Sequence, residues 1–272
     1  MQVYCFSKAI AGAVIVAVLA ACGGSGSGSS DNDEPQTVAA EVAKTGQEGG
    51  LPLLYSYDPG GATAPYVRRR VGENHAGQVF PEQTIAGMPA DFNSYKLESP
   101  FPFFILRGLT PTGEGEIYLE PGRTTGKTTL MRLSETTLPD SGMVTYTGTY
   151  AGLYSVVGER ETAGHMFGRA QLELDFASNT LSGLIDQRAN SGGQAATDIT
   201  LELGAMADGS FSGTTTGGAF ASGYSSAPGT YGGLIVGQNG EEAIGQATVY
   251  HNGATDYVET GGFIVGVCNP NC

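Results

Sequence analysis

Residues 170–176, Ala-Gln-Leu-Glu-Leu-Asp-Phe, alternate apolar and polar side chains without a break. Residues 180–185, Thr-Leu-Ser-Gly-Leu-Ile, follow after the turn-forming pair Ser178-Asn179. A period of two is typical of a β-strand with one buried face, because successive side chains point to opposite sides. Two such segments joined by a short polar turn predict an antiparallel hairpin.

The same pattern continues to the C-terminal end. The turn pairs Asp208-Gly209, Asn239-Gly240 and Asn252-Gly253 supply the positive φ angles that tight hairpins need. Eight strands are predicted, at residues 143–157, 165–176, 180–187, 197–206, 210–220, 229–237, 241–251 and 255–267. Consecutive hairpins make an antiparallel meander, and eight strands remove their unpaired edges by closing into an up-and-down barrel.

Glycine is abundant, with 43 residues in 272, roughly twice the usual fraction. On many predicted strands one face carries small residues: Gly148, Gly152, Gly183, Gly213, Gly233, Gly245 and Ala247. Small inward residues suit a narrow barrel, in which Phe176, Leu201 and Phe263 would fill the gaps. A barrel inside the outer membrane is the alternative; the charges at Glu173 and Glu202 disfavour it, since they leave no apolar stripe for lipid.

We therefore predict an all-β protein, with an eight-stranded antiparallel up-and-down β-barrel over residues 142–268. An irregular β-rich region is expected over 51–141, with the dense apolar stretch 101–106 and short strands at 115–120 and 128–133. Residues 22–50 are Gly/Ser-rich and then acidic, which is typical of a flexible tether.

The N-terminal 21 residues read as a secretory signal. Lys8 precedes an apolar run of thirteen residues, 9–21, which is shorter than the roughly 17–25 residues that span a bilayer. The run Leu19-Ala20-Ala21-Cys22 resembles a bacterial lipoprotein signal, in which the cysteine becomes the lipidated N-terminus. Gly23 follows it, without the Asp that commonly retains such proteins at the inner membrane. We expect a lipid anchor at Cys22 and outer-membrane localisation; a plain signal peptide is the alternative.

The net charge disfavours one class of partner, and the two C-terminal cysteines suggest a disulfide. Lys and Arg number 13 and Asp and Glu 27, a net charge of −14, which repels phosphate backbones and disfavours nucleic acid as a partner. Cys268 and Cys272 stand in a lone Cys-x3-Cys with too few ligands for structural zinc. In an oxidising compartment a small terminal disulfide loop is the favoured interpretation.

Three stretches carry a family resemblance: Tyr-Thr-Gly-Thr-Tyr at 146–150, the hairpin 170–185, and Gly-Gln-Asn-Gly-Glu-Glu-Ala-Ile-Gly at 237–245. They resemble the β-barrel domain of the transferrin-binding protein B family, surface lipoproteins of Gram-negative bacteria that include factor H-binding protein. The last stretch is similar to the family's Phe-Tyr-Gly-Pro-x-Ala-Glu-Glu-x-x-Gly hairpin, but Ile235-Val236 replace the aromatic pair and Gln238 the proline. The resemblance covers about residues 143–267, with one barrel where a full receptor has two lobes.

Few residues offer chemistry. The segment 122–128 has three residues between its glycines where a nucleotide-binding loop needs four, so a hairpin turn is favoured. His251 precedes Asn252-Gly253 and is predicted to be a solvated turn residue. The basic run 68–70 could meet an acidic patch or an anionic head group, but a solvated segment is favoured. No catalytic residues and no metal site are predicted, so the protein is not expected to be an enzyme.

His165 and Met166 are the candidate ligand-binding residues, because they end the predicted 158–164 loop and His and Met are haem axial ligands. The resemblance implies surface capture of an iron-related nutrient, as a host protein or haem, and delivery to a TonB-dependent receptor. A surface-lipoprotein export protein is a further expected partner. Host-factor binding, or a structural or adhesive envelope role with no small ligand, is the alternative.

Overall fold

The computed structural model describes residues 36–38, 41–45, 66–68, 78–80, 82–97, 103–119, 121–122, 127–159, 162–220, 225–253 and 256–268. All regular structure in this part of the chain is β-strand. The first ten strands are β1 Thr37–Val38, β2 Glu41–Thr45, β3 Tyr66–Arg68, β4 Gln78–Phe80, β5 Glu82–Gln83, β6 Phe92–Leu97, β7 Phe103–Leu109, β8 Gly113–Leu119, β9 Lys127–Arg132 and β10 Thr136–Thr137. The other eight are β11 Met143–Val156, β12 Ala163–Asp175, β13 Thr180–Asn190, β14 Ile199–Ala207, β15 Ser210–Gly217, β16 Ser225–Val236, β17 Glu242–Asn252 and β18 Tyr257–Val267.

Strands β11 to β18 form a closed antiparallel barrel. Each strand pairs with the next along the chain, and β18 returns to pair with β11 over residues 257–267. The predicted fold class is confirmed, and the predicted strands lie within a few residues of the observed ones. The largest differences are at β16, which begins four residues before the predicted start, and at β13 and β15, which end three residues after and three residues before their predicted ends.

Glycines opposite aromatic rings fill the barrel interior, as the composition predicted. A Cβ atom on Gly233 would lie 2.0 Å from Cζ of Phe211, and one on Gly245 would lie 2.1 Å from Cζ of Phe263. The two rings stack with centroids 6.3 Å apart. Because any larger side chain would occupy the space of a ring, these strands need glycine at these positions.

The region before the barrel contains a six-stranded antiparallel sheet in the order β2-β9-β8-β7-β6-β5 and two small antiparallel pairs, β3–β4 and β1–β10. The predicted strands at 115–120 and 128–133 correspond to β8 and β9. One face of the sheet packs against the outer wall of the barrel, where Leu106 and Ile117 meet Ala151 and Leu153 of β11. Arg132 of β9 is buried and donates from Nε to the Ile235 carbonyl at 2.8 Å.

Part of the predicted tether is ordered. Within residues 22–50, strand β2 pairs with the sheet strand β9, and β1 pairs with β10. Val38 is buried and belongs to the same apolar cluster as the barrel core, next to Leu138. The prediction of a tether was wrong at these residues because their composition is polar, which is typical of flexible chain. Their backbone hydrogen bonds are completed by β9 and β10, about 90 residues later in the sequence. Residues 37–38 and 41–45 are therefore not part of a flexible tether.

Candidate binding site

The site begins with a register irregularity in strand β13. Ile185 and Arg188 both point into the barrel although they are three residues apart, which a regular strand does not allow. Between them Gln187 has a φ of 52°, and the pairing with β12 shifts between Phe167 and Arg169. This is a β-bulge, in which an extra residue re-aims the side chains that follow.

A glycine accommodates the bulge on the neighbouring strand. A Cβ on Gly168 would lie 2.8 Å from the Asp186 carbonyl oxygen and 3.0 Å from Cγ of Arg188. The bulge thus places Arg188 inside the barrel and leaves Gln187 on the outside. The bulge therefore borders two features: a buried charge network inside the barrel and a groove on its outer surface.

Inside the barrel, Glu259 holds the network together. Its Oε2 accepts a hydrogen bond from Nη2 of Arg188 at 2.5 Å, and its Oε1 accepts one from the Tyr150 hydroxyl at 2.7 Å; all three side chains are fully buried or nearly so. Burial by itself would raise the pKa of Glu259, but the adjacent Arg188 guanidinium outweighs it and lowers this pKa to about 2. Glu259 is therefore ionised throughout the physiological range.

His251 completes the interior cluster. It is fully buried, with Nε2 3.4 Å from Oε2 of Glu259, so the prediction of a solvated turn residue was wrong. Both of its ring nitrogens lack a hydrogen-bond partner among the described residues. The alternation that places Val249 inside the barrel continues to His251, and this was the signal that could have located it.

The network anchors the connections at one end of the barrel. Arg188 Nη1 donates to the Thr197 carbonyl in the connection before β14, and Phe220, after β15, stacks on Tyr257 with centroids 5.3 Å apart. Phe220 also meets His251 edge-on at 6.2 Å. In an up-and-down barrel the connections that follow β11, β13, β15 and β17 all emerge at the same end, which we call the loop end. Two of these connections, at Thr197 and Phe220, are therefore held by buried side chains of the barrel interior.

Outside the barrel, the bulge borders a groove of about 690 Å³. The wall consists of outward-facing residues of β11 to β13, including Thr149, Phe167 and Gln187, and the segment around Gly87 faces it from the N-terminal region. Asn190 and Ser191 extend the lining toward the loop end. The groove thus lies where the barrel, the N-terminal region and the loop end meet.

His165 and Met166, the residues predicted to bind a ligand, lie within strand β12 and not in a loop. Met166 is fully buried in the barrel core, and His165 is 5% exposed on the opposite face, beneath the N-terminal sheet. Nε2 of His165 lies 2.8 Å from Oγ of Ser94, and burial lowers the pKa of His165 to about 4. The predicted loop was too long because Gly164 sits in the strand. Haem binding by this pair stays a prediction, and the strand placement does not favour it.

Ser94 and His165 also pair a hydroxyl with an imidazole, as hydrolases do, but Ser94 is fully buried, which leaves no space for a substrate carbonyl. No cluster of three or more potential metal-ligating side chains occurs among the described residues. The same part of the chain contains no helix long and apolar enough to cross a membrane.

Other predicted residues fall outside the described part of the chain. These are Cys22 with the signal segment, Cys272, and residues 69–70 of the basic run. Lipidation at Cys22 and the pairing of Cys268 with Cys272 therefore stay predictions. In the segment 122–128, Lys127 and Thr128 belong to β9 and pair with Tyr118 and Ile117 of β8, while residues 123–126 lie outside the described part of the chain.

No family model and no curated protein matches the chain. Among solved structures, it is similar to a mutant of transferrin binding protein B from Haemophilus parasuis, with 13% identity and a TM-score of 0.46 over 84% of this chain and 45% of that one. It is also similar to isotype 1 transferrin binding protein B from serogroup B Neisseria meningitidis: 17% identity, TM-score 0.43, 69% of this chain and 37% of that one. A third similar structure is that of a surface lipoprotein, with 13% identity and a TM-score of 0.36 over 58% of this chain and 77% of that one.

The chain spans less than half the length of these two transferrin binding proteins. Transferrin binding protein B is also the family that the sequence motifs resemble.

Proposed function

We propose that this chain is a lipid-anchored protein of the outer-membrane surface that works by binding, and that it captures an iron-related nutrient in the form of a host protein. The observation that supports binding is the pairing of an open groove with loops tied to a buried charge network. A binding surface gains affinity when its loops are ordered before the partner arrives, because less conformational entropy is then lost.

Residues at the N-terminus and in the barrel support the location and the partner class. The Leu-Ala-Ala-Cys run before the Gly/Ser segment is the pattern of a lipid anchor with a tether. The resemblance of the barrel motifs to surface lipoproteins that bind host proteins supports a protein ligand. An outer-membrane TonB-dependent receptor would then accept the cargo, and an export protein would place the chain on the surface. Haem is the less favoured ligand, since His165 is buried.

The test uses the mature chain without its signal, immobilised and exposed to purified transferrin and to whole host plasma. We expect saturable binding of one plasma protein, which Ala189→Trp weakens by placing a bulky ring on the groove wall. Ala205→Trp is the matched control, because Ala205 is exposed on β14 and lies outside the groove. If no plasma protein binds, the adhesive or structural envelope role takes the place of nutrient capture.

A further inference from the structure

The geometry points to a carbohydrate site in the groove: a neutral sugar unit would lie against Phe167 and be hydrogen-bonded by Gln187 and its neighbours. This inference deepens the proposed function and rests on it, since it names the glycan of a host glycoprotein as the chemistry recognised there.

The groove has an aromatic side chain at the position where a sugar ring could stack. Phe167 is only partly buried and lines the groove, while His165 behind it stacks at a centroid distance of 6.3 Å. Gly87 lies beside one edge of the ring: a Cβ there would be 3.5 Å from Cδ2 and 3.6 Å from Cε2 of Phe167. An aromatic face accepts the positively polarised C–H edge of a pyranose, and small neighbours leave room for the ring to approach.

The polar groups around Phe167 offer both donors and acceptors. Gln187 is exposed, and its amide makes no side-chain hydrogen bond with the described residues. Ser191 adds a hydroxyl at the loop end. The Asn190 amide is used within its own loop, since Oδ1 accepts from the backbone of Gly192 and Gln194 and Nδ2 donates to Oε1 of Gln194 at 3.4 Å. Amides that present a donor and an acceptor side by side match vicinal hydroxyls, each of which can donate and accept.

The charge of the groove selects a neutral ligand. In a chain with a net charge of −14, the lining carries a single charged side chain, Arg169. Its Nη2 and Nε are held by the Asp186 carboxylate at 2.5 and 2.9 Å, so the guanidinium is already neutralised. At the rim, the Asp91 carboxylate accepts from the Thr149 hydroxyl at 3.1 Å. An anionic ligand would find no free cation here, whereas a neutral polyol needs none.

The experiment measures binding of the mature chain to an array of neutral oligosaccharides terminating in galactose, glucose, mannose or N-acetylglucosamine, with sialylated ones included. We expect millimolar to micromolar binding of a neutral terminus. Gln187→Gly should weaken it at least tenfold, since glycine keeps the positive φ and removes only the amide. Phe167→Leu should do the same by removing the aromatic face while keeping most of the volume.

Gln171→Ala is the control, because Gln171 lies on the same strand β12 but outside the groove. Absence of neutral saccharide binding by the wild type, or equal binding by both groove variants, overturns the inference. The outcome is separable from that of the proposed function. If binding of a plasma protein survives enzymatic deglycosylation of that protein, the sugar site is rejected and host-protein capture is kept. If saccharides bind but no plasma protein does, the sugar site is kept and host-protein capture is rejected.

Discussion

Arg188 and Glu259 lie on strands β13 and β18, which are not neighbours in the barrel, and their side chains meet across its interior with Nη2 2.5 Å from Oε2. Two strands, β11 and β12, separate them along the wall. Neither side chain is exposed to solvent. The ion pair therefore links opposite parts of a closed sheet from within, and it does so directly below the loop end.

Removing either charge from this pair should strongly destabilise the fold. Glu259→Gln keeps an acceptor for Tyr150 but leaves the Arg188 charge buried and uncompensated, which costs about 3–5 kcal/mol. Arg188→Met likewise leaves the Glu259 charge buried and uncompensated. The double variant should lose less than the sum of the two, because no lone charge remains. Urea unfolding of all four proteins measures the coupling.

An exposed ion pair between the neighbouring strands β12 and β13 provides the comparison. Arg169 is 47% exposed beside Asp186, so Arg169→Ala should lower the free energy of unfolding far less than Arg188→Met does. Strictly additive effects of the Arg188 and Glu259 substitutions would show that the pair does not couple the two strands.

Alternation predicted most of the barrel and could have predicted more of its interior. The positions that place Phe263 inside also place Glu259 inside, and the same holds for Val249 and His251. These polar residues were missed because a charged or titratable side chain at the end of a strand usually lies in solvent. Their burial depends on a partner from a distant strand, which a single sequence does not reveal.

Arg188 could not be placed by any pattern. The bulge at Gln187 shifts the alternation of inward and outward side chains, and no residue type near Gln187 indicates a bulge. The groove was missed for a related reason: it requires Gly87 and Phe167, 80 residues apart, to be brought together by packing of the N-terminal region on the barrel wall.

Alanine in place of a barrel glycine should crowd the core. At Gly245 the new methyl group would lie 2.1 Å from Cζ of Phe263, so the ring or the strand must move, at a cost of about 1–3 kcal/mol. Gly266→Ala is the control, since the nearest atom to its Cβ is 3.8 Å away. Thermal unfolding should show a lower Tm for Gly245→Ala and nearly the wild-type Tm for the control; equal Tm values would contradict tight ring packing.

The terminal cysteines should form one intrachain disulfide. Cys268 directly follows the last barrel strand, and Cys272 is four residues further on, so the closed loop is very short. Because a short loop removes little chain entropy, the bond should contribute only about 1–2 kcal/mol. Mass spectrometry of unreduced peptides from secreted protein checks the bond directly, and two free thiols would refute it.

The anchor is expected at Cys22. Metabolic labelling with a fatty-acid probe should mark the wild-type protein and sediment it with membranes. Cys22→Ala should abolish the label and release the domain, whereas Cys5→Ala, within the signal, should leave the label intact. Lipid labelling that persists in Cys22→Ala would reject the anchor.

The buried His165 should make the folded protein sensitive to mild acid. Its pKa is lowered from 6.5 to about 4 by burial, so below pH 6.5 the unfolded chain binds a proton that the folded state does not. Stability should therefore fall as the pH drops from 6.5 to 4, by on the order of 3 kcal/mol in total for a shift of this size. Glu259 contributes little to this window, because its stabilising charge is lost only as the pH falls from about 4.5 toward 2.

His165→Gln isolates this contribution. Glutamine can keep a hydrogen bond to Ser94 and does not titrate, so its free energy of unfolding should vary less between pH 6.5 and 4.5 than that of the wild type. For each protein the free energy of unfolding is plotted against pH, and the two slopes are compared. Their difference removes the contributions of titratable groups common to both proteins. Parallel slopes would mean that His165 is protonated as readily in the folded state as in the unfolded one.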